Sequence, residues 1–251
     1  MAVETFKDHF SEQSDAYAAY RPCYPAALAD FLAAAAPATA LALECGCGSG
    51  QLSGLLAARF DRVVATDASE AQVENAEPYP NVSYRCAPAE QSGLEADTVD
   101  LIAAAQAAHW FDLEAFYAEA RRVGRPGAAI ALVSYGPMKV DAVTDPVIGQ
   151  FYSKTIGPYW PPERWHVEDG YRNFPFPFDE IDPPDLAINV DWSLVDFLGY
   201  IGTWSAVHAV RKETRRDPMP AFADALSAAW GADDFVRTVR WPLAVRVGHI
   251  K

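Results

Sequence analysis

Residues 40–50, with the sequence ALALECGCGSG, place a short apolar run directly before a cluster of alternating glycines. The run over residues 40–44 is typical of a buried strand, and residues 51–60 return to the spacing of an amphipathic helix. Glycines at this junction let the backbone turn tightly and approach a ligand without a Cβ in the way. Amides at the start of the helix favour a carboxylate or a phosphate. The stretch therefore predicts a strand, a ligand-binding loop and a helix, with a plain strand-to-helix turn as the alternative for the glycines alone.

The same alternation of apolar run and helix extends over the first 135 residues. Apolar runs cover residues 40–44, 62–67, 81–86, 98–103 and 128–133. Helical spacing covers residues 6–20, 25–36, 51–60, 69–76 and 112–123, where Ser69 and Asp112 are placed to cap their helices. Buried runs that alternate with helices indicate crossover connections. We therefore expect an α/β, Rossmann-like, doubly wound fold with a mostly parallel sheet.

The pattern changes after Tyr135. Residues 136–185 are rich in proline and aromatic side chains, which indicates an ordered, irregular insertion. Beyond it the sequence predicts a strand over 186–191, helices over 193–210 and 218–230, and half-exposed antiparallel strands over 236–241 and 244–247 with Pro242 at a bend. We expect a single domain, 1–251, with a core over 37–135, a mainly helical or irregular covering insertion over 136–235, and a closing antiparallel edge strand over 236–251.

Charge and composition exclude several classes of partner. The chain of 251 residues has 34 acidic and 20 basic side chains, a formal charge of −14, so it has no basic footprint for nucleic acid or for an anionic membrane surface. The longest apolar stretch, residues 25–43, contains Asp30 and Pro37 and is not a membrane span. The first residues lack a basic region followed by an apolar one, and cysteines are few, so we expect a reduced cytoplasmic setting.

A second feature lies at Asp67, the last residue of the next apolar run. An acid at this place accepts hydrogen bonds from the ribose hydroxyls of an adenosine. The glycine spacing is G-x-G-x-G, with Gln51 where a dinucleotide fingerprint has its third glycine. The pairing of loop and acid therefore favours an adenosine ligand smaller than a dinucleotide, and an NAD-dependent oxidoreductase is the alternative enzyme.

Five motifs in order resemble the class I S-adenosylmethionine-dependent methyltransferases. They are ECGCGSG at 44–50, VATD at 64–67, AE at 89–90, VDLI at 99–102 and RVGRPG at 122–127. The stretches YRPCYP at 20–25, AQAAHWFD at 105–112 and, more distantly, TWSA at 203–206 are similar to the small-molecule branch with a methyltransferase type 11 domain, which includes the trans-aconitate methyltransferases. The resemblance is strong over residues 10–135. It implies methyl transfer from S-adenosylmethionine to a small molecule, with S-adenosylhomocysteine as product.

The resemblance also implies which residues hold the cofactor. The glycine loop binds the methionyl part, Glu44 holds the loop or reaches the amino group, Asp67 takes the ribose, and Ala89 with Glu90 lines the adenine. Tyr20 and Arg21 belong to a segment that covers the cofactor, where a surface ion pair is the alternative for Arg21. The full set is Tyr20, Arg21, Glu44, Gly46, Cys47, Gly48, Gly50, Gln51, Asp67, Ala68, Ala89, Glu90 and Gln106.

Acceptor residues are expected after the fourth apolar run and in the insertion. His109 is the candidate catalytic base or acceptor contact, and a histidine that fixes the turn beneath Trp110 is the alternative. Aromatic walls with one arginine suit a small organic acid, although such aromatics are also common core residues. The acceptor candidates are His109, Trp110, Tyr159, Trp160, Arg164 and Trp204.

The sequence also bears on metal binding, turnover and partners. Cys45-x-Cys47 has no second pair of ligands at usable spacing, so no metal site is expected. A protein that binds the cofactor without turnover is the alternative to an enzyme, since the acceptor site has no diagnostic motif. We expect a monomer or a homodimer with a small-molecule substrate and neither nucleic acid nor a membrane as partner.

Overall fold

A computed structural model describes residues 22–232 and 235–251. The helix predicted over 6–20 lies outside the described residues. The strands are β1 (Leu41–Cys45), β2 (Arg62–Asp67), β3 (Val82–Cys86), β4 (Val99–Ala105), β5 (Gly124–Tyr135), β6 (Asp179–Ile181), β7 (Ala187–Trp192) and β8 (Arg237–His249). The α-helices are α1 (Ala26–Ala35), α2 (Gln51–Ala57), α3 (Glu70–Glu74), α4 (Leu113–Val123), α5 (Asp145–Gln150), α6 (Arg164–Glu168), α7 (Leu194–Gly202), α8 (Ser205–Thr214) and α9 (Met219–Trp230).

In the described part of the chain the strands form one eight-stranded sheet in the order β3-β2-β1-β4-β5-β8-β6, with β7 also paired to β8. Strands β1 to β5 are parallel to one another, and β8 is antiparallel to β5, β6 and β7. This arrangement confirms the predicted Rossmann-like fold with a mostly parallel sheet and an antiparallel edge. The chain order changes direction at β1 and β4, which are neighbours in the sheet, and ligands of open α/β folds bind at such a point.

The central strands are hydrophobic because both of their faces are covered. Every residue of β1 and β4 is buried. One apolar cluster joins the sheet to α1, α2, α7 and α9, and another joins its other face to α4 and α6. Continuous apolar runs are what parallel strands between two helical layers require. The predicted caps are also confirmed, since Ser69 and Asp112 accept hydrogen bonds from amides in the first turns of α3 and α4.

Strand β8 corrects one prediction. The sequence predicted two strands separated at Pro242, whereas the structure has one strand from Arg237 to His249. Pro242 is the last β8 residue paired with β7, and Leu243 is the first paired with β5. A proline has no N–H to donate, and it is tolerated here because the partner strand changes at this position.

The helix predicted over 193–210 was also wrong in its continuity. It divides into α7 and α8, because Trp204 adopts an extended conformation with ψ of 135°. The side chain of Trp204 is buried there among other aromatic rings. Packing of this indole therefore outweighs continuation of the helix.

The insertion has more regular structure than its proline content suggested. Between β5 and β7 it contains α5, a π-helical turn at Phe151–Thr155, a 3₁₀ turn at Gly157–Tyr159, α6 and β6. The three residues of β6 are too few to give a strand pattern in the sequence. In the part of the chain that the structure describes, no helix is long and apolar enough to cross a membrane.

Candidate functional site

The glycine loop connects β1 to α2 in a conformation that only glycine adopts easily. Gly46, Gly48 and Gly50 have φ values of 68°, 54° and 88°. A Cβ on Gly46 would lie 2.4 Å from the Cβ of Ala107, and one on Gly50 would lie 2.4 Å from the hydroxyl oxygen of Tyr84. Both distances are too short for real atoms. The loop is therefore pressed against the turn that follows β4 on one side and against β3 on the other.

Asp67 fastens this loop from the end of the neighbouring strand. Its Oδ2 accepts a hydrogen bond from the amide of Gly48 at 2.8 Å, and its Oδ1 accepts one from the amide of Ser69 at 2.9 Å. Ala68, between them, is exposed. Each carboxylate oxygen has a second lone pair, so both oxygens can still accept a hydroxyl. The loop and the acid predicted for an adenosine are therefore in direct contact.

Glu44, near the end of β1, connects the start of the loop to α2. Its carboxylate is buried and accepts a hydrogen bond from the hydroxyl of Ser53 in α2. The side chain thus joins the end of β1 to the first turn of α2, where Gln51 is the first residue. This geometry favours the loop-holding role among the two that the resemblance implies for Glu44.

The two cysteines at the loop, Cys45 and Cys47, are buried thiols with raised pKa values. Burial raises the pKa of the Cys45 thiol to about 12, and burial, followed by the charge of Glu44, raises that of Cys47 further. Both therefore remain protonated at neutral pH, whereas a metal ligand must be a thiolate. Among residues 22–232 and 235–251 there is no cluster of three His, Cys, Asp or Glu side chains placed to hold a metal ion.

The remaining cofactor candidates lie beside the loop. The amide of Ala87 donates to the carbonyl of Asp67, which brings the buried Ala89 and the partly exposed Glu90 toward the end of β2. Glu90 Oε1 accepts from the amide of Asp112 at 2.9 Å. Gln106 has a φ of 55° and donates from Nε2 to the carbonyl of Tyr135, so it joins the ends of β4 and β5. Tyr20 and Arg21 lie outside the described residues.

His109 lies in the 3₁₀ turn Ala108–Trp110, directly after the segment that touches Gly46. Its Nδ1 is 2.9 Å from the hydroxyl oxygen of Tyr171, and the Trp110 ring lies 4.8 Å from its own ring. Burial, followed by the charge of Arg164, lowers the pKa of His109 to about 3. The imidazole is therefore neutral at physiological pH.

An aromatic triangle of Tyr152, Trp160 and Trp204 lies in the insertion. Its ring centroids are 5.3 to 5.5 Å apart. The guanidinium carbon of Arg164 lies 4.9 Å from the centroid of the Trp160 ring, a cation–π contact, and Arg164 Nε donates to the Tyr152 hydroxyl at 3.1 Å. Three acceptor candidates are thus brought together, while Tyr159 is half-buried against the apolar core and Trp110 is at the surface.

Sequence reasoning missed the residues that hold these candidates. Tyr152 orients Arg164, Glu168 accepts a hydrogen bond from Tyr152, and Tyr171 bonds His109. Tyr171 is 62 residues from His109 in the chain. None of these three contacts follows from a local sequence pattern. The one general signal that could have indicated such a residue is that a buried histidine needs a hydrogen-bond partner.

Comparison with known proteins gives a consistent result. Residues 43–132 match the model of a methyltransferase domain. A Dictyostelium discoideum protein assigned by name to the methyltransferases is 35% identical over 233 residues, which cover 91% of this chain and 89% of that protein. A solved structure from Anaeromyxobacter dehalogenans, assigned to the type II methyltransferases, has 52% identity and a TM-score of 0.89, and the match covers 92% of this chain and 98% of that one. The YcgJ protein of Bacillus subtilis shares the fold, with 16% identity, a TM-score of 0.52, and coverage of 89% and 97%.

Proposed function

Since the chain belongs to the class I S-adenosylmethionine-dependent methyltransferases, we propose that it transfers a methyl group from S-adenosylmethionine to a small-molecule acceptor. The observation that carries this proposal is the direct contact between the glycine loop and Asp67. The Asp67 carboxylate is held by two amides in a fixed position and keeps lone pairs for two ribose hydroxyls. Because Gly46 and Gly50 have no Cβ, the loop can lie against Ala107 and Tyr84, in the position that Asp67 fixes.

The residues around the loop fit the remaining parts of that cofactor. The loop over residues 46–50 and Gln51, the first residue of α2, suit the methionyl part, and the segment at Ala89 and Glu90 suits the adenine edge. Of Pro88, Ala89 and Glu90, only Glu90 has a side-chain acceptor for the adenine amino group. When bound, the cofactor supplies a methyl group on a sulfonium that is already activated for displacement. The chain's own task is to position the acceptor and to exclude water.

The acceptor is proposed to be a small organic acid bound near the aromatic triangle. Arg164 uses Nε for Tyr152, and within the described residues its two Nη atoms have no hydrogen-bond partner. Trp160 Nε1 is likewise a buried donor without a partner in this part of the chain. A guanidinium with a free pair of donors matches a carboxylate bidentately. Glu168 offsets part of the charge, with its Oε1 at 3.8 Å from Arg164 Nε.

Calorimetry with S-adenosylhomocysteine tests the cofactor site. The wild-type chain is expected to bind, and Asp67→Ala is expected to weaken binding by about 1.5–3 kcal/mol, the scale of hydrogen bonds to a charged group. Asp61→Ala, an exposed acid just before β2, is the matched control and should bind as the wild type does. No binding at millimolar ligand would contradict the proposal, and binding of NADH instead would favour an oxidoreductase.

Labelled cofactor and a screen of small acids, phenols and amines test transfer. With an acid as acceptor, Arg164→Gln is expected to lower kcat/KM at least about tenfold, since a hydrogen bond to a charged group contributes about 1.5–3 kcal/mol. Binding of S-adenosylhomocysteine should persist in this variant. Arg172→Gln, whose side chain is 79% exposed, is the control for loss of one positive charge. Transfer to none of the compounds would favour a binding protein without turnover.

A further inference from the structure

The position of the Tyr171 side chain beside His109 is fixed by burial, ring stacking and backbone conformation. The Tyr171 side chain is completely buried and its ring is stacked on that of Phe174 at 4.9 Å. Its backbone has a φ of 58°, a left-handed conformation that a bulky residue rarely adopts. Such a conformation persists only where the surrounding structure determines it. The hydroxyl is thereby fixed 2.9 Å from Nδ1 of His109.

The hydrogen of this contact belongs to the tyrosine. Burial raises the pKa of Tyr171, so the phenol keeps its proton at neutral pH. Between two neutral partners the phenol is the stronger donor and the imidazole nitrogen is the stronger acceptor, so the Tyr171 hydroxyl donates to Nδ1 of His109, which lies at hydrogen-bond distance. The lone pair of Nδ1 is therefore occupied.

The groups that face the His109 ring all oppose its protonation. Arg164 from α6 and His166 from the same helix both disfavour a positive charge on the ring, and Tyr171 contributes a neutral hydroxyl. Burial acts in the same direction and is the largest cause of its lowered pKa. A neutral imidazole with an occupied Nδ1 carries its one hydrogen on Nε2. Within the described residues, Nε2 of His109 has no hydrogen-bond partner.

We propose that Tyr171 is a positioning residue that holds His109 as a neutral hydrogen-bond donor at Nε2, directed at the acceptor. This deepens the proposed function and rests on it. In that form the imidazole has no free lone pair with which to remove a proton. A lone pair of the acceptor forms the new bond to the methyl carbon, the bond from carbon to sulfur breaks, and its electron pair stays on sulfur. No proton moves, so the acceptor class is one that enters without a proton to lose, such as a carboxylate.

Nuclear magnetic resonance of the chain labelled with 15N-histidine tests the proposal. Long-range correlation between ring protons and ring nitrogens distinguishes the two neutral tautomers, and His109→Gln assigns the His109 signals by their disappearance. The expected result at neutral pH is a bare Nδ1 and a protonated Nε2. A protonated Nδ1, or a doubly protonated ring, would overturn the proposal.

Tyr171→Phe tests the positioning role, since it keeps the ring stacked on Phe174 and removes only the hydroxyl. The expected result is a shift of the Nδ1 resonance toward an average of both tautomers. An unchanged His109 signal in a folded variant would overturn the role of Tyr171. Calorimetry with S-adenosylhomocysteine on the same samples distinguishes failure of this proposal from failure of the proposed function. Absence of binding to the wild-type chain contradicts the methyltransferase function, whereas the tautomer of His109 is measured independently of activity.

Discussion

Gly46 shows how a single residue determines the shape of the loop. Two costs oppose a side chain here, the positive φ of 68° and the approach of Ala107 to 2.4 Å from any Cβ. Gly127 has a φ of 79° but nothing within 4 Å of a Cβ, so only the conformational cost applies there. Substitutions at Gly46 and Gly127 therefore distinguish the cost of backbone strain from the cost of a steric clash.

We expect Gly127→Ala to lower the free energy of unfolding by about 1–2 kcal/mol, the cost of a left-handed conformation. Gly46→Ala should lower it by about 1–3 kcal/mol more, because the loop or the turn after β4 must move. Urea denaturation of both variants measures the difference. Equal stability of the two would show that the loop accommodates the methyl group without moving.

Asp67 has a structural role besides the ribose contact that the sequence predicts. Its position at the end of an apolar run, after a glycine cluster, indicated a ribose contact. The structure adds that the same carboxylate fastens Gly48 and caps the turn at Ser69. This second role depends on which amides converge at the strand ends, which spacing in the sequence does not specify.

At the scale of elements, Asp100 joins the amino ends of three neighbouring strands. Its Oδ2 accepts from the amides of Ala40 and Leu41 at 2.9 Å each, before and in β1, and its Oδ1 lies 2.9 Å from Arg125 Nε in β5. The carboxylate is completely buried, while the arginine side chain is 35% exposed. The opposite, carboxyl ends of these strands carry the candidate site, so Asp100 stabilises the frame without touching it.

We expect Asp100→Ala to lower the free energy of unfolding by about 3–5 kcal/mol, the range found when a buried ion pair loses one member. Two amides also lose their acceptor. Glu95→Ala, an exposed acid in the segment just before β4, should change stability by less than about 0.5 kcal/mol. Chemical denaturation provides the values, and a small effect at Asp100 would mean that water replaces its contacts.

The elements of the first half could be predicted because buried parallel strands have a strong local signal. Strand β2 has the predicted bounds, and β1 and β3 differ from prediction by one residue at one or both ends. The second half departs from prediction where tertiary contacts decide. β8 continues through Pro242 because its partner changes, and the predicted helix ends before Trp204 because the indole packs among aromatic rings.

At the scale of the molecule, the net negative charge of the protein disfavours the approach of the anionic acceptor that we propose. A formal charge of −14 repels an anion at long range, so attraction must come from a local cation. Arg164 meets this requirement because it is fixed by Trp160 and Tyr152 beside the neutral His109. The sequence indicated Trp160, Arg164 and His109 as candidates. It could not predict Tyr152, which contacts Trp160 and Arg164, or Tyr171, which bonds His109, because these contacts depend on the tertiary structure.

The lowered pKa of His109 has a consequence for the stability of the whole molecule. The folded value is about 3 and the value for an unperturbed histidine is 6.5, so between these limits the unfolded state binds a proton that the folded state does not. Stability therefore falls as pH decreases through this window, with a slope of up to about 1.4 kcal/mol per pH unit for one proton. Above about pH 5 few carboxyl groups titrate, which isolates the histidines.

We expect His109→Gln to flatten the dependence of the free energy of unfolding on pH between about pH 5 and 6.5, because the group responsible for the proton difference is gone. His208 is the matched control, since burial and Arg211 also lower its pKa, but by less. His208→Gln should accordingly flatten the curve less than His109→Gln. Urea denaturation at several pH values measures both slopes. A slope that His109→Gln leaves unchanged would mean that this imidazole is protonated in the folded protein as readily as in the unfolded chain.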